Sequence, residues 1–121
     1  TVLITGDMSF SYDVNGLSST YLSPRFKIIV MCNGGGGIFR FIKPTSDLPE
    51  LETCFEIHRD ISVEKYADLF GLRYFELNDE KSAAEVLSLF FAEKDRPAIL
   101  AVHTPNVYNA EVLRGYFRRS R

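Results

Sequence analysis

The chain has 121 residues, of which 45% are hydrophobic, 25% charged and 13% aromatic, with no tryptophan. At roughly 100–200 residues per domain this predicts a single domain over residues 1–121, large enough to bury a core without staples. Fourteen basic against sixteen acidic residues leave a formal charge of −2, which gives no electrostatic footprint for nucleic acid, and the composition excludes a disordered tail, a collagen or a coiled coil.

Cys32 and Cys54 are too few for a disulfide framework or a zinc site. They read as reduced thiols, which predicts a cytoplasmic protein. No apolar run approaches the ~18–20 residues that span a bilayer. The sequence opens directly on Thr1-Val2-Leu3-Ile4-Thr5, already a strand, and reads as a piece of a longer polypeptide.

Val2 to Thr5 is a β-branched run closed by Gly6-Asp7, hence a strand. Phe10, Val14, Leu17 and Tyr21 then share one helical face, with Ser9 as the expected N-cap and Pro24 as the stop. Lys27 to Cys32 is nearly continuous in apolar residues, as in a parallel strand buried on both faces. Gly34 to Gly37 break regular structure, and Ile38 to Ile42 make a short apolar patch of about one helical turn. A loop follows from Lys43 to Glu52, its Asp47, Glu50 and Glu52 reading as a solvated acidic stretch.

Ser62 is placed to cap a helix carrying Val63, Tyr66, Ala67 and Phe70, which Gly71 would end. Arg73 to Leu77 is a third strand. Asp79 to Lys94 is an amphipathic helix with Ala83, Val86, Leu87, Phe90 and Phe91 inward. Pro97 to Val102 is a fourth buried strand, and Asn109 caps a last helix through Val112, Leu113, Tyr116 and Phe117. This alternation predicts an α/β fold, a parallel sheet with flanking helices and right-handed crossovers.

In such sheets ligands bind beyond the carboxyl ends of the strands. Two loops of unusual chemistry lie there, Gly6-Asp7-Met8-Ser9 after the first strand and Asn33 to Gly37 after the second. The amides of Met8, Ser9 and Phe10, at a helix start, would favour an anion. A carboxylate beside an anion site calls for a cation between them, and Mg²⁺ takes oxygen ligands shared with substrate phosphates. Asp7, Asn33 and a glycine carbonyl would supply such oxygens. Taken singly, each loop also fits a turn, a cap or a flexible tract. Neither matches the dinucleotide fingerprint or a P-loop.

As a pair, Gly6-Asp7 and Asn33, separated by one helix and one strand, resemble the thiamine diphosphate-binding motif, Gly-Asp-Gly followed by Asn-Asn. Met8 stands in place of its second glycine and Cys32 in place of its first asparagine. The strings Gly6-Asp7-Met8-Ser9-Phe10, Asp13-Val14-Asn15-Gly16-Leu17 and Asn33-Gly34-Gly35-Gly36-Gly37-Ile38-Phe39 resemble the menaquinone-pathway synthases of the MenD family. The resemblance is sharpest over the first forty residues.

It implies a transferase, 2-succinyl-5-enolpyruvyl-6-hydroxy-3-cyclohexene-1-carboxylate synthase, that decarboxylates 2-oxoglutarate and adds the succinyl-semialdehyde unit to isochorismate. The cofactors implied are thiamine diphosphate and Mg²⁺ (or Mn²⁺). By the family pattern Asp7, Asn33 and the Gly35 carbonyl bind the metal, and Gly6, Met8 and Ser9 hold the diphosphate. Ile38 and Phe39 lie near the thiazolium, with core packing an equal reading of Phe39. The resemblance implies the C-terminal diphosphate-binding domain, truncated at its N-terminus, of a homo-oligomer whose pyrimidine-binding domain comes from a second subunit. No catalytic residue is then expected within the chain, and the isolated fragment would be inactive and would self-associate through the free edge of its first strand. Rival readings are an acetolactate synthase relative and a non-enzymatic flavodoxin-like α/β module. His58 and His103 read as loop or surface residues, Arg118, Arg119 and Arg121 as a solvated basic helix end, and Asp13 and Asn15 as helix surface.

Overall fold

A computed structural model describes residues 1–56 and 61–119. Its internal contacts divide them into two units, one built from Thr1–Cys32 and Ile61–His103 and the other from the remaining described residues.

The first unit carries the sheet. Its elements are β1 (Val2–Gly6), α1 (Asp7–Asp13) running into a 3-10 turn over Val14–Ser18, β2 (Lys27–Cys32), α2 (Val63–Phe70), β3 (Arg73–Leu77), α3 (Ala83–Ala92) and β4 (Ala98–His103). The strands lie in the order β1-β2-β4-β3, all parallel, with Ile28 opposite Ile99 and Ile99 opposite Tyr74. A parallel sheet must be covered on both faces, and the side chains divide accordingly. Ile28, Val30, Ile99 and Ala101 form one cluster with Phe10, Val14, Val63 and Ala67 from the first two helices and the turn between α1 and β2. Ala98 and Leu100 turn the other way onto Phe90, joined by Ile29, Phe75, Val86 and Leu87. The two-residue period of an extended chain thus sends alternate residues of β2 and β4 to opposite cores. Lys27 is buried at the amino end of the sheet, its Nζ donating to the Glu93 carbonyl at 2.7 Å beside the last turn of α3, where a cation is favoured.

The α/β fold with an all-parallel, helix-flanked sheet is the one predicted. The third strand has the bounds expected, and α2 begins on Ser62, whose Oγ accepts the Lys65 N–H at 3.3 Å, and ends on Gly71 at φ +69°. Other boundaries differ. The first helix starts at Asp7 with Gly6 as its N-cap, so Ser9 lies inside the first turn. It gives way at Val14 and ends at Ser18, because Asn15-Gly16 are poor helix formers. Tyr21 therefore leaves the predicted helical face and is 94% exposed. Before α3, Asp79 Oδ1 accepts the N–H groups of Lys81 and Ser82, a local turn that delays the helix to Ala83. Phe90 is fully buried there, but Phe91, expected inward, is 50% exposed.

The second unit has no strand among its described residues. It comprises 3-10 turns over Gly37–Arg40 and Thr45–Asp47, a wide helical turn over Leu51–Phe55, and α4 (Asn106–Arg119). The predicted loop from Lys43 to Glu52 is thus partly turned. Helix α4 begins three residues before the expected cap, and Asn109 instead donates from Nδ2 to Thr104 Oγ1 at 2.8 Å. Ala110 is buried, while Val112, Leu113, Tyr116 and Phe117, through which the helix was expected to run, are exposed. Arg118 lies in its last turn, and Arg121 lies outside the described residues.

Candidate functional site

Asp7 follows β1 directly and heads α1. Its side chain is on a residue only 5% exposed, and Oδ1 accepts the Met8 N–H at 2.8 Å. Met8 is half-buried, with its carbonyl accepting from Ser11 Oγ at 2.8 Å, and Ser9 is exposed. Gly6 has an extended backbone (φ −84°, ψ 160°), and a Cβ built there would meet nothing within 4 Å. Neither conformation nor crowding inside the chain demands glycine at this place.

The charge of Asp7 is felt at Cys32, the last residue of β2. Burial first, then the carboxylates of Asp7 and Glu76, push the Cys32 thiol up to about 11, against a smaller opposing hydrogen bond from the Val102 backbone. Tyr74 is raised for the same reasons, burial first and then Glu76, to whose Oε1 its hydroxyl donates at 3.2 Å. His103 ends β4 with Nε2 3.1 Å from Glu76 Oε1. Sequence reasoning found no carboxylate for this histidine, because the pair forms diagonally between β3 and β4 rather than along the chain. His58 lies outside the described residues.

Asn33 follows Cys32, and its Oδ1 accepts the Gly35 N–H at 3.0 Å. Gly34, Gly35 and Gly36 have φ of +83°, +87° and +68°, a left-handed run that would cost any other residue type ~1–2 kcal/mol at each step. Gly36 is confined as well, since a Cβ there would lie 2.6 Å from Glu56 Cα and 3.0 Å from the Phe55 carbonyl oxygen. The glycine tract is therefore a set turn and not a flexible linker. Phe39 packs its ring on Phe55, centroids 5.4 Å apart, while Ile38 is 60% exposed.

Arg40 reaches both Glu52 and Glu56. Nη2 lies 2.7 Å from Glu52 Oε1 and 2.6 Å from Glu56 Oε2, and Nε lies 2.6 Å from Glu56 Oε1. Glu52 is thus ion-paired and not simply solvated, and Glu56 is a buried carboxylate that sequence reasoning missed. An arginine inside an otherwise apolar patch was the available signal. Among the described residues no three His, Cys, Asp or Glu side chains gather as a metal site, so a cation held here would draw on amide or carbonyl oxygens. No helix among those residues is long and apolar enough to cross a membrane.

A four-stranded parallel sheet with helices on both faces, and oxygen-bearing loops after its first two strands, defines an α/β domain consistent with part of a thiamine diphosphate-binding domain. No protein-family model matches the chain. Curated proteins do. It is 49% identical over 117 residues to the 2-succinyl-5-enolpyruvyl-6-hydroxy-3-cyclohexene-1-carboxylate synthase of Porphyromonas gingivalis, which covers 97% of this chain and 20% of that protein. The same-named synthase of Flavobacterium johnsoniae is 40% identical over 97% of the chain and 21% of its own length. That of Cytophaga hutchinsonii is 34% identical over 94% and 20%. The chain belongs to this synthase family, the MenD family, and spans about a fifth of the length of the relatives it matches.

Proposed function

We propose that this chain is the diphosphate- and Mg²⁺-binding part of a thiamine diphosphate-dependent transferase. At its natural length the protein would decarboxylate 2-oxoglutarate and add the succinyl-semialdehyde unit to isochorismate in menaquinone biosynthesis. The observation that carries the reading is the buried carboxylate of Asp7 at the head of α1, its charge felt at Cys32, the residue before Asn33. A carboxylate oxygen at the end of a parallel strand is the kind of hard donor that a divalent cation takes.

The donor set fits that cation. Asp7 offers a carboxylate oxygen, Asn33 an amide oxygen and Gly35 a peptide carbonyl, all hard donors suited to Mg²⁺ or Mn²⁺. The open space where Gly6 would carry a Cβ suits close approach of a diphosphate. Met8 and Ser9 would donate amide hydrogens to it. The Met8 N–H is already engaged by Asp7, so an anion would share that hydrogen or draw it away as Asp7 turns to the metal. Exposed Ile38 supplies apolar surface for the thiazolium, with Phe39 braced behind it on Phe55. Thiamine diphosphate, when bound, supplies the carbanion chemistry and the electron sink; the residues named here bind and orient it.

The rest of the site would come from the pyrimidine-binding domain of a second subunit in a cytoplasmic homo-oligomer, so the 121-residue chain by itself would be inactive. The exposed apolar side chains of Val2, Leu3 and Ile4 on β1 support a surface that other parts of the assembly cover. The test is product formation from 2-oxoglutarate and isochorismate by the protein at natural length, with thiamine diphosphate and Mg²⁺, then EDTA, then Asp7→Ala. Activity and calorimetric cofactor binding should both need the metal and Asp7. Turnover that survives in EDTA without thiamine diphosphate, or an Asp7→Ala protein that binds like the parent, refutes the assignment.

A further inference from the structure

The glycine turn is held from one side by a charged cluster that no cofactor contact requires. Arg40 closes the 3-10 turn Gly37–Arg40, and Glu56 follows the Leu51–Phe55 turn, with its own N–H bonded to the Leu51 carbonyl at 2.9 Å. The Glu56 side chain is wholly buried and that of Arg40 is 17% exposed. The guanidinium faces both Glu56 oxygens at 2.6 Å each: Nη2 donates to Oε2, while Nε is ion-paired with Oε1 without the alignment of a hydrogen bond. The Arg40 carbonyl also accepts from Arg114 on α4. Three residues before Ile38's neighbour Phe39 ends its packing, Gly36 already lies against the Glu56 backbone. Ile38 therefore lies between two residues that both meet Glu56, Gly36 and Arg40, and is itself exposed.

We infer that Arg40 and Glu56 are a positioning pair: they hold the Asn33–Ile38 turn in the conformation that receives the metal-bound diphosphate and the thiazolium. This rests on the cofactor reading above and adds residues that touch neither metal nor cofactor. Glu52, at the exposed end of the cluster, backs the pair but does not set the turn, because a solvent-exposed partner contributes little.

The test uses the protein at natural length and reads two quantities, the Kd for thiamine diphosphate at saturating Mg²⁺ and kcat at saturating cofactor. Removing one member of a buried pair changes the charge balance around the other and can unfold the region. The informative variant is therefore the double replacement Arg40→Met/Glu56→Leu, which keeps bulk and removes both charges. An apolar contact in place of the ion pair should weaken cofactor binding about tenfold, with kcat at saturation within about twofold of the parent and the circular dichroism spectrum unchanged. Arg40→Lys, which keeps the charge and so the ion pair, should stay within about threefold of the parent, and Glu52→Gln should leave Kd within about twofold. Cofactor binding by the folded double variant equal to that of the parent overturns the inference while leaving the cofactor reading intact. A parent protein that shows no Mg²⁺-dependent cofactor binding removes the reading itself, and the inference with it.

Discussion

Replacing Gly36 by alanine should cost more than the same change at Gly71, and the excess measures how tightly the glycine turn is seated. Both residues are left-handed, at φ +68° and +69°, so the conformational penalty of ~1–2 kcal/mol is common to them. Around Gly71 a Cβ would meet nothing within 4 Å, whereas at Gly36 it would fall 2.6 Å from Glu56 Cα and 3.0 Å from the Phe55 carbonyl. Both neighbours are backbone and cannot swing aside. Overpacking of this kind adds ~1–3 kcal/mol, giving about 2–5 kcal/mol for Gly36→Ala against a total stability on the order of 5–15 kcal/mol. Urea unfolding followed by circular dichroism gives the global values. Amide exchange at Phe39 and Phe41, whose N–H groups bond to the Gly36 and Ile38 carbonyls at 3.1 and 3.0 Å, gives the local ones. If Gly36→Ala costs no more than Gly71→Ala by either measure, the close seating of the turn against residues 55–56 is wrong.

The two adjacent phenylalanines of α3 should part company. Phe90→Ala, at a fully buried ring in contact with Phe75, should lose ~3–5 kcal/mol, and Phe91→Ala about 1 kcal/mol, mostly the ring contact with Phe90; similar midpoints in urea would refute the burial difference. The cysteines should separate by alkylation rate. Exposed Cys54 should label first at pH 8, while Cys32, with its thiol raised to about 11, lags and gains speed only as the pH approaches that value. Because the folded chain holds the Cys32 proton more tightly than the unfolded one, whose ordinary value is 9.0, its contribution to stability is whole below pH 9 and is lost as the pH rises through 11. Equal labelling rates at pH 8, read by mass spectrometry, would contradict this.

The parallel sheet was legible because apolar runs such as Ile28 to Val30 and Ile99 to Leu100 admit few other homes. Helix ends were less so. Ser9 has the chemistry of a cap, yet β1 hands over to the helix at Gly6, three residues before Ser9. Periodicity also overstates burial: it identifies the apolar face of α4 but not whether anything in the chain covers it, and Tyr116 and Phe117 are exposed. The glycine tract was recognisable as a site, but its support was not. Glu56 differs from Glu52 only in what folds over it, which no local pattern near either residue records.

The strand order has a consequence for how the sheet is assembled. β4 lies between β2 and β3 yet is the last strand in sequence. Among the four described strands, β1 and β2 have only each other until it arrives, and β3 has no partner. Two-stranded ribbons are marginal in water, and pairings between sequence-distant segments are slow to form. A nascent chain halted before Ala98 would therefore hold its two half-built edges open, with the apolar faces of Ile28 and Val30 awaiting Ile99 and Ala101. The four described strands are joined into one sheet only when the single six-residue strand β4 lies between the two halves.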